Sequence, residues 1–471
     1  MDASSVSPSM ASVPTSRLLP IRTPRSAPAE WTTTDDSSAA TEEPVTPTAR
    51  LMEAIYIVVT IGLGSPVNLP VFSAGVAAEL ARYARFRSIQ VTDGSKDGNN
   101  PRWARTAVNV EDHMIVPTLD PAAVEADPDR AVEDYVASVY TLPMDRSRPL
   151  WEFHFLDYPT SEAASTVVFR VHHSLSDGMS LITMLLASAR SAADPTRLPA
   201  MPDQPARTGA IYAPRHRESA SAGALAAFIA WIWPYLVLAW NTMVDVSFFA
   251  ATTVFLRDPC TPFRRAEGDV TFNPRRRFVH RSLSLDDVKF VKNAMNCTVN
   301  DVLVGATSAA LSRYYFRKSG GSNTYRTWLR SVLLVNTRPT ASLQTYANMI
   351  ESGRSNDVAW GNQLGYILLP FHLAMHDDPL AYVRKAKMIV DRKKSSLEAI
   401  FTCKTSEVVV KMFGLKALIV HYQSYNNTIK IVLSVDEEIF PDYSQLLDDF
   451  VVSFGLIKDV ASRLSESIKK E

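Results

Sequence analysis

Residues 223–240 read GALAAFIAWIWPYLVLAW, eighteen positions without a charge, and this run restricts the architecture more than any other feature. A helix of that length stands at the lower edge of a bilayer span, which takes roughly 20 residues. Trp231, Trp233, Tyr235 and Trp240 crowd its second half, and such rings favour the headgroup boundary. Pro234 would kink a helix without excluding it from lipid. Asn241 and Asp245 follow, and then a second apolar run, Val246 to Leu256. Two readings stay open: a membrane segment, single-pass or peripheral, and the buried crossover helix of a soluble protein. Membrane contact is the expected one. Either way the run sits in a linker, 193–270, between one part of the chain over 43–192 and another over 271–471.

The 471 residues, 46% of them hydrophobic, suffice for two domains with cores of their own. Basic and acidic residues balance at 49 each, so no overall field draws in nucleic acid, and no such partner is expected. Cys260, Cys297 and Cys403 are too few and too scattered for a disulfide framework or a zinc site. A reducing compartment, or a membrane face turned toward one, is the reading that follows. Residues 1–42 are rich in Ser, Thr, Pro and Ala without apolar periodicity, and read as a disordered tail. Arg17, Arg22 and Arg25 with few acids also fit a transit peptide, but no apolar stretch near Met1 suggests a cleaved secretory signal.

Apolar periodicity and β-branched runs predict strands over 54–63, 88–92, 102–116, 149–156 and 166–172 in the first part, and helices over 72–84, 131–140 and 179–192. Asp93-Gly94 and the 97–100 stretch supply turn chemistry. The second part predicts strands over 278–283 and 328–335, and a hairpin of 418–423 with 429–435 across Asn426-Asn427. Its helices are expected after the Ser284 cap and over 299–317, 380–394 and 443–465. Strands and helices alternate without the regular period of a βαβ array, which indicates mixed α/β layers (α+β, with mixed sheets).

The chemistry concentrates in Phe169-Arg170-Val171-His172-His173-Ser174-Leu175-Ser176-Asp177-Gly178. Two histidines end an apolar strand, and a strand end delivers a side chain to the domain edge where a substrate arrives. An imidazole takes a hydroxyl proton at neutral pH as that oxygen attacks a carbonyl. Gly178 would permit a tight turn and a close backbone approach. Asp177 would orient a neighbouring backbone or pair with an arginine. The blander alternative is a hydrogen-bonded core pair of histidines. Metal binding fares poorly, because adjacent residues of a strand point to opposite faces and His172 and His173 cannot easily share one ion. The same geometry lets only one of them face a reaction, and parity alone does not say which.

His172 to Gly178 matches the HHxxxDG signature of the CoA-dependent acyltransferase superfamily at every fixed position. Around it stand Val168 to Leu181, Pro149-Leu150-Trp151-Glu152, Asn300-Asp301-Val302-Leu303 and Val335 to Pro339. Pro44 to Leu51, His421 to Tyr425 and Asp448-Asp449-Phe450 complete the set. Together, and in this order, they resemble the plant wax ester synthase/diacylglycerol acyltransferase family from about Glu43 onward. The resemblance implies a two-domain, chloramphenicol acetyltransferase-like architecture. It also implies a fatty acyl-CoA-dependent O-acyltransferase making wax esters from long-chain alcohols, and triacylglycerol from diacylglycerol as a second product. Acyl-CoA would be a co-substrate and no cofactor is implied. The expected location is the endoplasmic reticulum membrane, or the plasma membrane.

Carried over position by position, His173 is the general base, while His172, Asp177 and Gly178 shape the loop around it. Asn300 and Asp301 match an Asn-Asp element at a helix start, where a cap and a substrate contact are equally open. Arg338 is either a salt-bridge partner or a contact to the phosphates of coenzyme A. Trp151 belongs to packing around an acyl tunnel and counts among the substrate-binding residues. The two substrates would enter a channel between the domains from opposite mouths.

Two departures from the family stand out. Family members carry several tens of residues with a Ser-Asn-x-x-Gly-Pro element after a helix like Val408 to Lys416, whereas here Lys416-Ala417 runs straight into Leu418. Tyr83-Ala84-Arg85-Phe86 stands where His-Pro-Arg-Phe is usual. The first departure opens an alternative, a catalytically impaired, membrane-associated lipid-binding relative. A soluble acyltransferase of the same superfamily acting on a small plant metabolite is another, opposed by the apolar 223–240 run and by the lack of an Asp-Phe-Gly-Trp-Gly element.

Overall fold

A computed structural model describes residues 43–46, 49–50, 55–92, 101–191, 194, 197–199, 224–254, 261–263, 275–320, 327–336, 348, 364–404 and 418–470. The expected tail, the Pro/Arg-rich start of the linker, the 93–100 turns, Arg338 and the junction at 416–417 lie outside these residues.

The first half is built on a four-stranded sheet. Its order is β2 (Tyr56–Leu63), β7 (Ser165–His172), β6 (Trp151–Leu156) and β5 (Met114–Ile115). Every residue of β6 and β7 is buried, as suits strands covered on both faces. Phe153, Phe155, Phe169 and Val171 face one core, and Phe153 stacks on Phe169, its register partner, with centroids 4.3 Å apart. The other face is covered by α3 (Pro128–Thr141), which follows a short α2 (Pro121–Ala126). Val132, Tyr135, Val136 and Val139 of α3 close over Leu156 and Val168. β1 (Glu43–Pro44), β4 (Pro101–Arg105) and β3 (Ser88–Thr92) form a separate small sheet.

Local signals place most boundaries. The helix predicted over 72–84 is α1 (Leu69–Ala78), with Asn68 accepting from Val71 N–H as its cap. It then breaks into two 3₁₀ turns, Leu80–Arg82 and Ala84–Arg87. The strand predicted over 102–116 is β4 and β5 with a 3₁₀ turn at Val110–His113 between them. α4 (Gly178–Ser188) ends short of Ala192.

In the second half, β8 (Arg276–Ser284), β12 (Thr428–Asp436) and β11 (Leu418–Tyr425) pair in the order β11–β12–β8. Asn426 and Asn427 turn the hairpin at φ of 44° and 61°, backbone that asparagine tolerates well. β9 (Thr327–Asn336) and β10 (Leu364–Leu373) form a second, two-stranded sheet. Helices α6 (Leu285–Ala294), α7 (Val299–Lys318), α8 (Leu380–Lys394), α9 (Glu398–Lys404) and α10 (Tyr443–Lys470) pack on these strands. A Cβ at Gly305 of α7 would lie 2.9 Å from Val383 Cα of α8, so this helix crossing needs the glycine. The two apolar runs expected over 223–240 and 246–256 are one helix, α5 (Ala224–Val254), continuous through Pro234.

The halves meet where α3 packs on β8. Tyr140 stands edge-on to Phe278 with centroids 5.2 Å apart, and Arg277, nearly fully buried, reaches Asp134 at 2.5 Å and also Glu437. Beside them, Glu162 of the first half accepts from Ser282 (2.9 Å) and pairs with His280 (3.1 Å) and Lys430.

Trp151 overturns an expectation. It is 0% exposed, donates its indole N–H to Phe86 O at 3.0 Å, and lies flat against His113 with centroids 3.9 Å apart. No surface is left for a substrate, so Trp151 is a core residue. His113 also makes a 2.7 Å hydrogen bond to Trp151 O, and burial pushes its pKa below the usual histidine value of 6.5. A folded pKa lowered below the unfolded one means stability complete above about pH 6.5 and lost as pH falls through the depressed value. The urea midpoint should fall between pH 7.5 and pH 5, and His113→Phe, which keeps the stacking, should flatten that slope.

Candidate active site

The site grows from the end of β7. Alternation along the strand sends Phe169 and Val171 into the aromatic core and Val168, Arg170 and His172 toward α3. His172 is 2% exposed and stands edge-on to Tyr56, its register partner on β2, at 5.4 Å. Ser174 N–H, which can only donate, points at His172 Nδ1 from 3.2 Å. Ser174 Oγ lies 2.6 Å from the same nitrogen and accepts from Gln90 Nε2 at 2.8 Å. Nδ1 is therefore an acceptor, and the neutral ring carries its proton on Nε2.

His173 takes the other course. Its backbone N–H donates to Ile55 O at 2.9 Å, extending the β2–β7 ladder one step past the strand end, while the residue itself is half-buried. Of the two histidines, His172 is sealed and His173 has a solvent-reaching surface. The ring Nδ1 of His173 is itself buried.

After His173 the chain folds back through Ser174, Leu175 and Ser176, all buried, with Leu175 N–H donating to His172 O at 3.0 Å. Asp177 is 0% exposed and caps α4, its carboxylate accepting from Ser180 N–H at 3.0 Å. It thus orients a backbone. His172 and Asp177 are both buried inside the loop that they were expected to shape. Gly178 departs from expectation in another way. It is the first residue of α4, and beyond its chain neighbours and its own helix backbone no atom lies within 4 Å of where a Cβ would stand. Open space adjoins it, where a tight turn or a close protein contact was anticipated.

The strand is braced by charges that the motif reading missed. Glu152 and Arg170 are both buried and directly opposite in register, with Arg170 NH1 3.2 Å from Glu152 Oε2. Arg170 also lies over the Tyr56 ring at 4.3 Å and donates to Leu142 O. His154 Nε2 is 3.4 Å from Glu152, and its Nδ1 is 2.8 Å from Tyr135 OH. A Glu in LWEFHFL and an Arg in VVFRVH were the available signal, since buried charges come in pairs.

The second-half candidates are less concentrated. Thr298 is the cap of α7, and Asp301 closes a capping box by accepting from Thr298 N–H at 2.8 Å. Asp301 is buried and structural; Asn300 is exposed. Cavities of about 400 and 440 Å³ lie between α7 and α10 and along α5, and neither is lined by His173.

Two α/β halves that meet at α3 and β8, with a histidine pair at the end of a buried strand, share the fold of condensation-type acyltransferases. A condensation domain of a calcium-dependent antibiotic synthetase superposes with a TM-score of 0.56 at 14% identity, over 90% of this chain and 98% of that one. The wax ester synthase/diacylglycerol acyltransferase from Marinobacter aquaeolei VT8 superposes with a TM-score of 0.53 at 15% identity, over 89% and 100%. The sequence model of the wax ester synthase/diacylglycerol acyltransferase catalytic domain matches residues 65–303, and that of the C-terminal domain matches 360–419 and 415–458. Wax ester synthase/diacylglycerol acyltransferase 11 of Arabidopsis thaliana is 38% identical over 478 positions, covering 88% of this chain and 95% of the relative. Number 4 of the same plant is 36% identical, covering 90% and 91%. The chain belongs to the wax ester synthase/diacylglycerol acyltransferase family, a family of O-acyltransferases.

The geometry separates the two histidines experimentally. His172→Ala should destabilise the first half by about 2–4 kcal/mol, because it empties a packed site and strips Ser174 of its partner. His173→Ala should cost less than about 1 kcal/mol, as expected of a partly exposed position. Urea denaturation followed by circular dichroism reads both; equal losses would contradict the assignment of buried and accessible rings.

Proposed function

We propose that this chain transfers a fatty acyl group from acyl-CoA to the hydroxyl of a long-chain alcohol, giving a wax ester, and to diacylglycerol, giving triacylglycerol. The observation that carries the reading is the sorting at the end of β7, where His172 is locked into the fold while His173 is only half-buried, with open space at Gly178 further along the motif. His173 takes the hydroxyl proton as the oxygen attacks the thioester carbonyl. The tetrahedral intermediate collapses, the C–S bond breaks, and the thiolate of coenzyme A receives the proton back. Ser174 and Ser176 are buried, which leaves the motif without an accessible hydroxyl nucleophile and favours direct transfer in a ternary complex. Acyl-CoA enters as co-substrate, and no resident cofactor is required. Asn300 and Arg338 are proposed contacts to the acyl-CoA, and the channel between the halves is its proposed route. Both substrates partition into lipid, so the work is done at a membrane, that of the endoplasmic reticulum in this reading.

One observation favours a second reading, a catalytically impaired lipid-binding relative. The C-terminal family model matches in two pieces that meet at 415–419. The alignment to the Arabidopsis relative runs to 478 positions although only 88% of this 471-residue chain enters it, so the relative carries sequence without a counterpart here. The strands of the second half lie in two sheets among the described residues, with Leu418 packed into the clusters of both.

Microsomes holding the chain, supplied with labelled palmitoyl-CoA and either hexadecanol or diacylglycerol, decide between the readings. Ester formation that falls by about 10²–10⁴ in His173→Ala supports transfer. Undiminished activity in that variant would overturn the role of His173, and an inactive parent chain would favour the impaired relative.

A further inference from the structure

Helix α5 shows two characters along its length. From Phe228 to Val244 it carries no charge, and Phe228, Trp231, Trp233, Leu236, Trp240 and Met243 are all exposed, Trp233 and Trp240 by more than 60%. At about 100° per residue these six span about 200° of the helix, and exposed Pro234 lies on the remaining side. A helix apolar on every side is suited to lipid, whereas a partner docking on one face would leave the opposite one in water.

The C-terminal end of the same helix is fixed to the protein. Asn241 donates to Ser395 O at 3.2 Å, and Leu397 N–H donates to Thr242 Oγ1 at 3.0 Å. Asp245 is 1% exposed and holds Lys393 at 2.8 Å and Arg392 at 2.7 Å. Lys393 continues to Glu398 at 2.6 Å, and Glu398 accepts from Leu368 N–H of β10 at 2.9 Å. Phe249 packs edge-on to Phe401 of α9 at 5.9 Å. Burial makes this charged cluster costly to break, because each member would be left desolvated without its partner.

Length and topology then decide how the helix meets the bilayer. The 22-residue window with the apolar length for a crossing is Trp231–Thr252, and it includes Asp245 and Phe249, which the second half already occupies. The stretch ahead of the clamp, from Ala224 to Trp240, is about 25 Å long at 1.5 Å per residue, short of the roughly 30 Å hydrocarbon core. Moreover, a single crossing would place the first half and the second half on opposite sides of the membrane. They share one interface, through Tyr140 and Phe278, Arg277 and Asp134, and Glu162 with Ser282 and Lys430.

We propose that α5 is a monotopic hook, which enters one leaflet with its aromatic N-terminal part and is held to the second half by the Asp245–Lys393–Glu398 cluster, with both halves on the same side of the bilayer. This rests on the membrane reading of the proposed function and specifies its topology. Insertion is driven by apolar burial without charge, so it persists in salt.

The test uses the full-length chain with phosphatidylcholine vesicles and, separately, sealed microsomes with an epitope tag at each terminus. Flotation with the vesicles should survive 0.5 M salt (about a fourfold smaller Debye length than at 0.03 M). It should fall at least about tenfold in the triple variant Trp231→Ser, Trp233→Ser, Trp240→Ser, whose far-ultraviolet spectrum stays native. In the microsomes, external protease should remove both tags. One tag protected until the vesicles are opened would establish a crossing and overturn the hook, while leaving membrane action intact. No flotation of the parent chain would sink the membrane reading itself. A salt-resistant dimer that the triple variant dissolves, with flotation unchanged, would assign the aromatic surface to a second copy and overturn the proposal.

Discussion

Strand β7 is the constraint on which the rest depends. It lies between β2 and β6, every residue buried, and its position is over-determined from both sides. Phe169 stacks on Phe153 across one face, and Arg170 pairs with Glu152 across the other. A strand held this way cannot slip by one residue without exchanging its aromatic and charged faces. The last residue of the strand is consequently forced toward α3 and sealed, and the residue after it is released. The different burial of His172 and His173 is thus an outcome of register.

The same interface logic links the site to helix α5. α3 covers the sheet that carries the histidines and is itself covered by β8 of the second half. The second half in turn holds α5 through a buried carboxylate. A continuous chain of packed elements therefore runs from the exposed apolar helix α5 to the end of β7.

Much of this was legible in the sequence, for identifiable reasons. The run STVVFRVH reads as a buried strand because it is β-branched and bounded by turn residues. The Ser284 cap, α8 and the Asn426-Asn427 hairpin follow from side-chain chemistry local to each element. What escaped notice depends on contacts far apart in sequence. Gln90 reaches Ser174 across 84 residues to fix the ring of His172, and no local pattern announces it. Trp151 was taken for a substrate contact, but its neighbours Phe86 and His113 arrive from distant turns and bury it. Thr298, two positions ahead of the expected Asn-Asp pair, proved to be the cap of α7. The apolar run of α5 was clear, yet the clamp on its C-terminal end was not, because Asp245 meets Lys393 only after folding.

Histidine-directed acylation by diethylpyrocarbonate, followed residue by residue in peptide mass spectra alongside ester synthesis, tests the sorting at the end of β7 most directly. Loss of activity should track modification of His173, acyl-CoA should slow that modification, and His172 should remain unmodified while the fold persists. Modification of His172 at the same rate as His173, or complete loss of activity with His173 intact, would contradict the account.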